Sequence, residues 1–474
     1  MSIPNTIWLK CLNEIRPTES DIQESSFVFD KVRKAIELEA EDQKITVAFI
    51  NLEGSSGRKQ TQLRGWKELD IFVGLPVSIL SHSLEDKKIR KPVIRRLLKK
   101  MVKDIAVNAA RSAGSKEVEI AYAEHPYVIA QIDNYKVDIV FCFDLTKDYI
   151  VNNGPITAVD RTPHHSIFVD KHLTVAQRDD VRLLKAFFHT AYVYGDSSPV
   201  GRSGFTGFST EMLIFHTKAL EPALEYLSQS TPQPLDFFNR DADSLKRKFP
   251  NDFFIISDPV DPNRNIASSI SQRAYRYTSH KSRQLLQDPS EVFFDRRPIP
   301  QLSATELALL GPNYFVIEFH DQTGWHYTKT RDKLYRYFSK LARFLKQEPT
   351  GESRFGFVTF EEVFQGDIFA VALYVEKAKV SQSYTRAGPQ QSHVEGVNQF
   401  IEKHPAAFLK NGRYYTKIRR TFTSAEATLR YYLSENQLSS KLPVIEVSRT
   451  GSTQIGAQAL WILTKAVLPF MAST

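Results

Sequence analysis

The sequence has few of the features that mark secreted and membrane proteins. Only Cys11 and Cys142 occur among its 474 residues, too few and too far apart for a disulfide framework or a zinc site. No run of about 18 apolar residues occurs, which excludes a typical membrane-spanning helix. The early Lys10 and Glu14 argue against a signal peptide. We therefore expect a cytoplasmic protein without a membrane partner.

The sequence also has no internal repeats and no low-complexity tract. Hydrophobic residues make up 42% and charged residues 24% of the chain, as in ordinary soluble domains, so disorder and fibrous structure are excluded. With 62 basic and 54 acidic residues, the net charge of +8 is compatible with a polyanionic partner without requiring one. The length of 474 residues predicts several domains.

The N-terminal part predicts a helix, a strand, a turn and a second strand. Apolar residues recur at helical spacing over residues 25–41, and a β-branched and aromatic strand over 45–52 leads to a Gly-Ser-Ser-Gly turn at 54–57. In the next strand Glu68 and Asp70 alternate with apolar residues. Both acids are therefore expected on one face of that strand.

A third acid stands in a strand that is otherwise apolar. After an amphipathic helix around residues 94–105, alternating runs between residues 117 and 143 predict three strands. In the last of them Asp138 shares a face with Lys136, and the other face is apolar. A lone carboxylate in such a strand is costly unless it is paired or bound to a cation, so Asp138 is a functional candidate.

The later parts of the chain predict a helical module and then mixed structure. From residue 154 to about residue 225 the pattern is helical, with a polar face that carries Arg182 and Lys185 and that is also compatible with plain solvated charge. Further predicted elements are strands at 314–320, 354–359 and 368–374, a helix at 331–347, and a linker or turn at 381–389, which is rich in Ser, Gly, Gln and Pro.

Glu68, Asp70 and Asp138 together suit phosphoryl transfer to a hydroxyl. That reaction needs divalent cations that bridge a triphosphate and the attacking oxygen. Three carboxylates from neighbouring strands form an oxygen-rich site suited to Mg²⁺. The turn at Gly54 and Ser55 would add backbone N–H groups and a hydroxyl for phosphate oxygens. Taken alone, the same residues are also compatible with a solvated strand edge.

This arrangement resembles the nucleotidyltransferase superfamily that includes DNA polymerase β and the poly(A) polymerases. Further segments, in the family's order, narrow the resemblance to archaeal-type (class I) tRNA CCA-adding enzymes: Ala158–His165 (AVDRTPHH), Arg182–Lys185 (RLLK), Tyr192–Gly195 (YVYG) and Asp258–Asn265 (DPVDPNRN). Ser203–Phe208 is similar to the family's Arg-Gly-Phe-Ser-Gly-Tyr motif but differs at its first and last residues.

The resemblance implies an α+β multidomain protein. Its modules would be a polymerase-β-like nucleotidyltransferase head (1–157), a helical neck (158–272), an α+β body (273–379) and an α+β tail (380–474). It also implies that the chain adds C, C and A to the 3′ end of tRNA from CTP and ATP, without a nucleic-acid template and with release of pyrophosphate. The sequence leaves a homodimer open.

The resemblance also assigns roles to residues of the head and neck. Glu68 and Asp70 would hold two Mg²⁺ ions, and Asp138 would bind the catalytic one beside the primer 3′ hydroxyl. Arg264 would read the incoming base together with the tRNA backbone. The residues that would hold the triphosphate are Gly54, Ser55, Arg58, Thr162, His165, Lys185 and Tyr194.

Some of these neck residues allow simpler interpretations. His164 and His165 are also compatible with capping or packing, as histidine pairs often are. Arg264 follows two Asp-Pro turns and is also compatible with a loop cap that pairs with Asp258 or Asp261.

Basic residues in the C-terminal half suggest contacts with RNA. Lys333, Arg336 and Lys340 form a stripe on a helix whose other face is apolar, and Arg413 and Lys417 lie among tyrosines. The stripe could follow a phosphate backbone, and the second group could meet phosphates and stack on bases. In the resembling family these modules hold the acceptor stem and elbow of tRNA. A solvated helix face is the alternative.

Two other functions share parts of this pattern. A poly(A) or oligoadenylate synthase would have the same Gly-Ser turn and three acids, and would use ATP alone. An inactive RNA-binding relative would explain the basic faces and Glu53, which precedes the turn where the family usually carries a small or apolar residue. The presence of all three acids argues against the inactive relative.

Overall fold

The computed structural model describes residues 5–84, 87–122 and 125–471. The chain divides into two compact units, and the border between them lies between Arg297 and Pro298. The finer borders of the four modules stay predictions. None of the helices in the described ranges combines the length and the apolar character that a bilayer crossing requires.

The N-terminal unit begins with helices and a five-stranded sheet. Thr18 caps the second helix, because its hydroxyl accepts the N–H of Asp21, and the Asp21 carboxylate accepts the N–H of Thr18. A 3-10 helix follows the second strand, and a π turn joins the third helix to the fourth. The elements are α1 (Asn5–Ile15), α2 (Glu19–Asp42), β1 (Phe49–Leu52), β2 (Glu68–Pro76), the 3-10 helix Val77–Leu84, α3 (Lys87–Met101), the π turn Val102–Ala106, α4 (Val107–Ser112), β3 (Val118–Tyr122), β4 (Pro126–Ile132) and β5 (Tyr135–Asp144).

The sheet brings two distant strands together as a parallel pair. Its order is β1-β2-β5-β4-β3, in which β2 and β5 run parallel and the other neighbours run antiparallel. The hairpin between β4 and β5 turns at Asp133 and Asn134, which have φ of 46° and 67°, as a two-residue hairpin turn requires.

One face of the sheet is covered by helices. Ile71 and Ile139 on this face are fully buried against residues of α2, α3 and α4, among them Val32 and Leu98. The predicted amphipathic helix around residues 94–105 is thus confirmed. The other face holds a smaller apolar cluster and leaves room for polar side chains.

Helices are the main regular elements in the rest of the N-terminal unit, which confirms the helical pattern predicted from residue 154 to about residue 225. Val181, Leu184 and Phe188 are the apolar face of its central helix and are fully buried. A loop between residues 191 and 206 interrupts the helical run. The helices are α5 (Lys147–Asn153), the 3-10 helix Ala158–Arg161, α6 (Thr162–His172), α7 (Val175–Thr190), α8 (Gly207–Thr217), α9 (Leu220–Ser228), α10 (Ala242–Lys248), α11 (Gln272–Gln287) and the 3-10 helix Glu291–Phe293.

The C-terminal unit contains two sheets. Its elements are α12 (Ala304–Leu309), β6 (Tyr314–His320), α13 (Tyr327–Lys346), β7 (Val358–Gln365), β8 (Ile368–Val375), β9 (Ser383–Gln390), α14 (Val394–Lys403), β10 (Phe408–Lys410), β11 (Arg413–Arg419), α15 (Ala425–Glu435), β12 (Val444–Ser448), α16 (Gln454–Trp461), the π turn Ile462–Val467 and the 3-10 helix Leu468–Phe470. An antiparallel sheet in the order β12-β6-β8-β7 packs against α13 and α15. A smaller sheet has the order β10-β11-β9.

The strand predicted at residues 354–359 is displaced. Arg354 is buried and pairs with Glu348 at 2.9 Å, and the chain then turns at Gly356, whose φ is 76°. Pairing with β8 begins only at Val358, opposite Val375. The alternation that predicted a strand from residue 354 therefore includes a turn.

The linker predicted at residues 381–389 is wrong, because most of this segment is strand β9. Thr385 and Arg386 pair with Lys417 and Thr416 of β11. One face of the strand packs against α14, where a Cβ on Gly388 would contact the Phe400 ring. A polar composition is compatible with a strand whose other face meets solvent.

Candidate active site

Three acids meet on the parallel pair of strands. In the register of β2 and β5, Asp70 lies opposite Asp138, and Glu68 lies opposite Lys136. Because side chains alternate along a strand, all four belong to one face, the face that α2 to α4 do not cover. The structure thus brings together the three predicted acids, which we call the acid cluster (Glu68, Asp70 and Asp138).

Lys136 supplies a positive charge inside the acid cluster. Its Nζ lies 3.6 Å from Glu68 Oε1 and 3.8 Å from Asp138 Oδ2. The sequence placed Lys136 on this face but did not mark it as a site residue. The signal was its position two residues before Asp138, which in a strand means a neighbouring side chain.

The acid cluster carries more negative charge than its surroundings balance. Burial raises the pKa of Asp138 to about 7, and Asp70 and Glu68 add to the rise while Lys136 opposes it. Burial, and next the Glu68 carboxylate, also raise the pKa of Asp70. Asp138 Oδ1 is buried without a hydrogen-bond partner. Among the described residues, no group of three carboxylate, imidazole or thiol side chains is already arranged as a set of metal ligands. The carboxylate oxygens of the acid cluster and its excess negative charge nevertheless fit a hard divalent cation.

The Gly-Ser turn lies directly against the acid cluster. Gly54 has a φ of 63°, and a Cβ there would lie 2.1 Å from Asp70 Oδ2, so only glycine fits. Ser56 Oγ donates to the Glu68 carbonyl at 3.1 Å. Glu53, which precedes the turn, is 2% exposed and accepts a hydrogen bond from Asn51. The Ser55 carbonyl accepts the Thr61 N–H at 3.0 Å.

Of the two basic residues that follow the turn, the second is the buried one. Arg58 is exposed. Lys59 is 6% exposed, and its Nζ donates to Glu211 of α8 at 2.8 Å and lies 4.8 Å from the centre of the Phe208 ring. The sequence singled out Arg58 and missed Lys59 and Glu211. The available signal was Glu211 itself, a lone acid in the apolar run of α8.

Lys185 and Arg182 turn inward from α7 toward the same loop. They are 2% and 8% exposed, so the interpretation as plain solvated charge is wrong. Lys185 Nζ donates to the carbonyl and the hydroxyl of Thr61 at 2.9 and 3.0 Å. Arg182 Nε donates to the Gln62 carbonyl at 3.0 Å. Burial lowers the pKa of Lys185 to about 8.

The Tyr194 and Lys185 side chains lie next to each other, beside Gly207, the first residue of α8. A Cβ on Gly207 would lie 3.3 Å from Tyr194 Oη and 3.7 Å from Lys185 Nζ, so both groups border one point. The Tyr194 ring also lies 4.2 Å from that of His189. The motif over Ser203–Phe208 therefore contributes a glycine that lets these side chains approach.

His165 and Arg264 share one buried carboxylate. Asp258 accepts from His165 Nε2 at 2.9 Å and from Arg264 Nη1 at 2.9 Å. His165 and Arg264 hold the pKa of Asp258 well below its usual range against the effect of burial, while burial lowers the pKa of His165. His165 also stacks on Phe208 at 3.9 Å. The alternative that Arg264 pairs with Asp258 is confirmed, and 40% of the Arg264 side chain stays exposed.

The segment around Thr162 is held by its neighbours. Thr162 begins α6 and is half-buried. Arg161 before it pairs with Asp261 at 2.8 Å. His164 Nε2 hydrogen-bonds the Leu145 carbonyl at 2.8 Å, a contact within the protein that agrees with the capping or packing interpretation.

Two family models and several sequence relatives agree on one family for this chain. The family model for the second domain of tRNA nucleotidyltransferase matches residues 179–295, and that for the C-terminal domain of the CCA-adding enzyme matches residues 331–444. The CCA-adding enzyme of Saccharolobus shibatae is 30% identical over 420 residues, which are 88% of this chain and 89% of the relative. The chain belongs to the CCA-adding enzyme family.

Other relatives agree with this membership. The CCA-adding enzyme of Pyrobaculum islandicum is 28% identical over 441 residues, 91% of this chain and 94% of the relative. Among solved structures, that of E. coli MS115-1 CdnC with ATP covers 62% of this chain and 95% of that chain, at 15% identity and a TM-score of 0.43. This likeness is loose, and the assignment depends on the sequence relatives. The helices and sheets of the two units confirm the predicted α+β multidomain class.

The C-terminal unit presents the predicted basic residues to solvent. Arg336 and Lys340 of α13 are exposed, and Lys333 is half-buried with its Nζ 4.9 Å from the Trp325 ring. The predicted apolar face of α13 is confirmed, because its residues are fully buried: Leu334, Phe338, Leu341 and Leu345. Arg413 and Lys417 are exposed on β11.

Proposed function

We propose that this member of the CCA-adding enzyme family adds C, C and A to the 3′ end of tRNA from CTP and ATP, without a nucleic-acid template. One observation carries the proposal. Asp70 and Asp138 lie opposite each other on parallel strands, and the turn at Gly54 lies against Asp70. This is the arrangement that transfer of a nucleotidyl group to a hydroxyl needs.

Glu68, Asp70 and Asp138 would hold divalent cations, and we propose Mg²⁺. The donors are all carboxylate oxygens, which Mg²⁺ prefers. The raised pKa of Asp138 and its unpartnered Oδ1 support a site that gains from added positive charge. When bound, such ions neutralise the triphosphate and favour ionisation of the attacking hydroxyl.

The triphosphate would lie between the Gly-Ser turn and the neck. The backbone N–H groups of the turn and the Ser55 hydroxyl would bind phosphate oxygens. Lys185 and Tyr194 both lie beside Gly207, and Lys185 is hydrogen-bonded to Thr61, whose N–H donates to Ser55 of the turn. The buried ammonium group of Lys185 would interact more strongly with phosphate than an exposed charge does. The other residues proposed for this role are Gly54, Arg58, Thr162 and His165. Lys59 joins them, because its positive charge is buried next to the turn.

Arg264 would contact the incoming base. Asp258 fixes one end of its guanidinium, and the exposed remainder borders a cavity of about 630 Å³. A volume of this size accommodates a nucleoside. Arg161 and Asn263 also line the cavity and could donate hydrogen bonds to a base.

tRNA is the proposed nucleic-acid partner. Lys333, Arg336 and Lys340 on α13 would meet phosphates of its backbone, and the exposed Arg413 and Lys417 of β11 would extend this contact. A cytoplasmic location stays a prediction from the sequence, and a homodimer stays open.

The test is to incubate the protein with Mg²⁺ and a tRNA that ends at its discriminator base. Labelled CTP and ATP are supplied singly and together, and the 3′ ends are then sequenced. We expect addition of C, C and A that stops there. Tails of A alone would instead indicate a poly(A) or oligoadenylate synthase, and binding without addition would indicate an inactive relative.

Two double variants serve as controls for this assay. Glu68→Ala/Asp70→Ala removes two acids of the cluster and should abolish addition. Glu41→Ala/Asp42→Ala removes the same charge at the exposed end of α2 and should leave addition unchanged. Equal activity of both double variants would mean that the acid cluster takes no part in the reaction.

A further inference from the structure

A buried group of charges joins the loop 54–62 to α8. Lys59 Nζ donates to Glu211 Oε2 at 2.8 Å, and the Thr61 hydroxyl donates to Glu211 Oε1 at 2.7 Å. Glu211 is 1% exposed. Each oxygen of this carboxylate therefore holds one residue of the loop.

Lys185 of α7 completes this group. Its Nζ lies 3.8 Å from Glu211 Oε1 and is bonded to Thr61. Lys59 and Lys185 thus share a single carboxylate, and the group carries one uncompensated positive charge. Arg182 on the same helix pairs with Asp179 at 2.6 Å, and Arg16 donates to the same carboxylate.

The group stands behind the Gly-Ser turn. Thr61 donates its N–H to the Ser55 carbonyl at 3.0 Å. The centre of the Phe208 ring lies 4.8 Å from Lys59 Nζ, and the same ring stacks on His165 at 3.9 Å. Residues proposed to hold the triphosphate therefore border the charges that Glu211 anchors.

We propose that Glu211 is a positioning residue that fixes the ammonium groups of Lys59 and Lys185 behind the Gly-Ser turn, so that the triphosphate meets one positive charge at a set place. This inference rests on the proposed function. Glu211 acts through the two lysines and does not touch the nucleotide. A neutral residue here would leave two buried ammonium groups that repel each other.

The ionisation of Lys185 is coupled to Glu211. Burial lowers the pKa of Lys185 to about 8, Lys59 and Arg182 add to the lowering, and the Glu211 carboxylate opposes it. Tyr194 and His189 are further titratable groups that face this space, and the charge of Lys185 contributes to the lowered pKa of His189. Loss of the carboxylate should therefore lower the pKa of Lys185 further, so that the amine loses its proton at a lower pH.

The test is the pH profile of kcat/KM for CTP and ATP, measured on the full-length protein with a tRNA that lacks its CCA end. In Glu211→Gln the alkaline limb should move to lower pH by about one unit, so that at about pH 8.5 the KM for CTP is about tenfold higher than in the parent. At about pH 6.5 the two proteins should differ little, and tRNA affinity should be unchanged.

Two variants separate charge from structure. Glu211→Asp keeps the negative charge and should keep the alkaline limb of the parent. Glu225→Gln removes an exposed carboxylate from the next helix and is the matched control. An unmoved limb in Glu211→Gln, or an equal loss at every pH together with lost tRNA affinity, overturns the proposal. A parent that adds no nucleotide at all contradicts the proposed function instead.

Should Glu211→Gln fail to fold, the Lys59→Met background carries the test. In Lys59→Met the group has no net charge, because Lys185 and Glu211 balance. Adding Glu211→Gln removes the carboxylate that supports the protonated form of Lys185, so the alkaline limb of the double variant should lie at lower pH than that of Lys59→Met alone. A limb that does not move between these two variants overturns the proposal.

Discussion

At the scale of single residues, Lys136 occupies an unusual place between Glu68 and Asp138. Its ammonium group lies 3.6 and 3.8 Å from their oxygens and partly balances a cluster of three acids. A divalent ion that binds the same acids has to compete with this ammonium group, because like charges at such distances repel. Lys136 should therefore stabilise the metal-free protein and weaken metal binding.

Lys136→Met should lower the melting temperature without metal and enlarge the increase that Mg²⁺ or Mn²⁺ produces, each by about 2–4 °C. Thermal unfolding with and without metal measures both effects. Lys67→Met is the control, because it removes the same charge next to Glu68 while its amine bonds Glu24 and Tyr135. An equal response of the two variants would contradict this role for Lys136.

Asp138→Ala should reduce nucleotide addition by at least about 10²-fold while tRNA still binds. The substitution removes a charge of the acid cluster and leaves the basic residues of the C-terminal unit in place. Addition assays and equilibrium binding of tRNA check the two halves of this expectation. A parallel loss of tRNA affinity would contradict it.

The sequence predicted the acids but not all of their neighbours. Asp138 stood out as one acid in an apolar strand, and Glu211 in α8 offered the same signal, which was not used. Arg58 and Lys59 are adjacent basic residues, and only the path of the loop decides that Lys59 is the buried one. That path depends on contacts with Glu211, which is far away in the sequence, so local pattern could not supply it.

At the scale of elements, the sequence periodicity predicted which residues share a face of a strand, but only the structure shows which strands are neighbours. The alternation in β2 and β5 predicted that Glu68 and Asp70 share a face and that Asp138 lies opposite an apolar face. It did not predict that the two strands pair in parallel with Asp70 beside Asp138. That pairing is made through a crossover of helices and two further strands, which no local pattern encodes.

The segment of β9 shows the opposite failure. Its Ser, Gly and Gln residues are typical of a linker, yet backbone hydrogen bonds to β11 and the packing of Phe400 on Gly388 make it a strand. Composition predicts solvent exposure correctly here, but exposure on one face does not exclude a sheet.

Lys333→Gln/Arg336→Gln on α13 should weaken tRNA binding and flatten its salt dependence. Two fewer phosphate contacts release fewer counterions, so the slope of log K against log salt should fall by about 1 to 2. Binding titrations at several salt concentrations measure the slope. The matched control is Lys34→Gln/Lys44→Gln, which changes two exposed lysines, one in α2 and one just after it. An unchanged slope in the α13 variant would mean that this helix is not part of the tRNA interface.

At the scale of the whole molecule, the acid cluster and the basic helix belong to different units of one chain. Asp138 lies in the unit before Arg297, and Lys333 lies in the unit after Pro298. The relatives match along about nine tenths of both chains, which include both units. One chain thus carries the residues proposed for transfer and those proposed for RNA binding.

A mixture of Asp138→Ala with Lys333→Gln/Arg336→Gln should therefore add nucleotides no faster than the sum of the separate rates. The first variant lacks transfer and the second binds tRNA more weakly, and neither chain is expected to replace the impaired part of the other. Initial rates at equal total protein test this. Recovery toward the parental rate would mean that two chains act together, as an active homodimer would.

The contact between Gly54 and Asp70 limits which changes the site can accept. A methyl group at residue 54 would lie 2.1 Å from the Asp70 carboxylate, whereas one at Gly65 would meet nothing within 4 Å. In a library of random substitutions, position 54 should tolerate no replacement, and a change there should never be rescued by a second change at Asp70 that keeps the acid. Because Asp70 is proposed for the reaction and also fills the space beside Gly54, both residues should stay unchanged as the enzyme evolves.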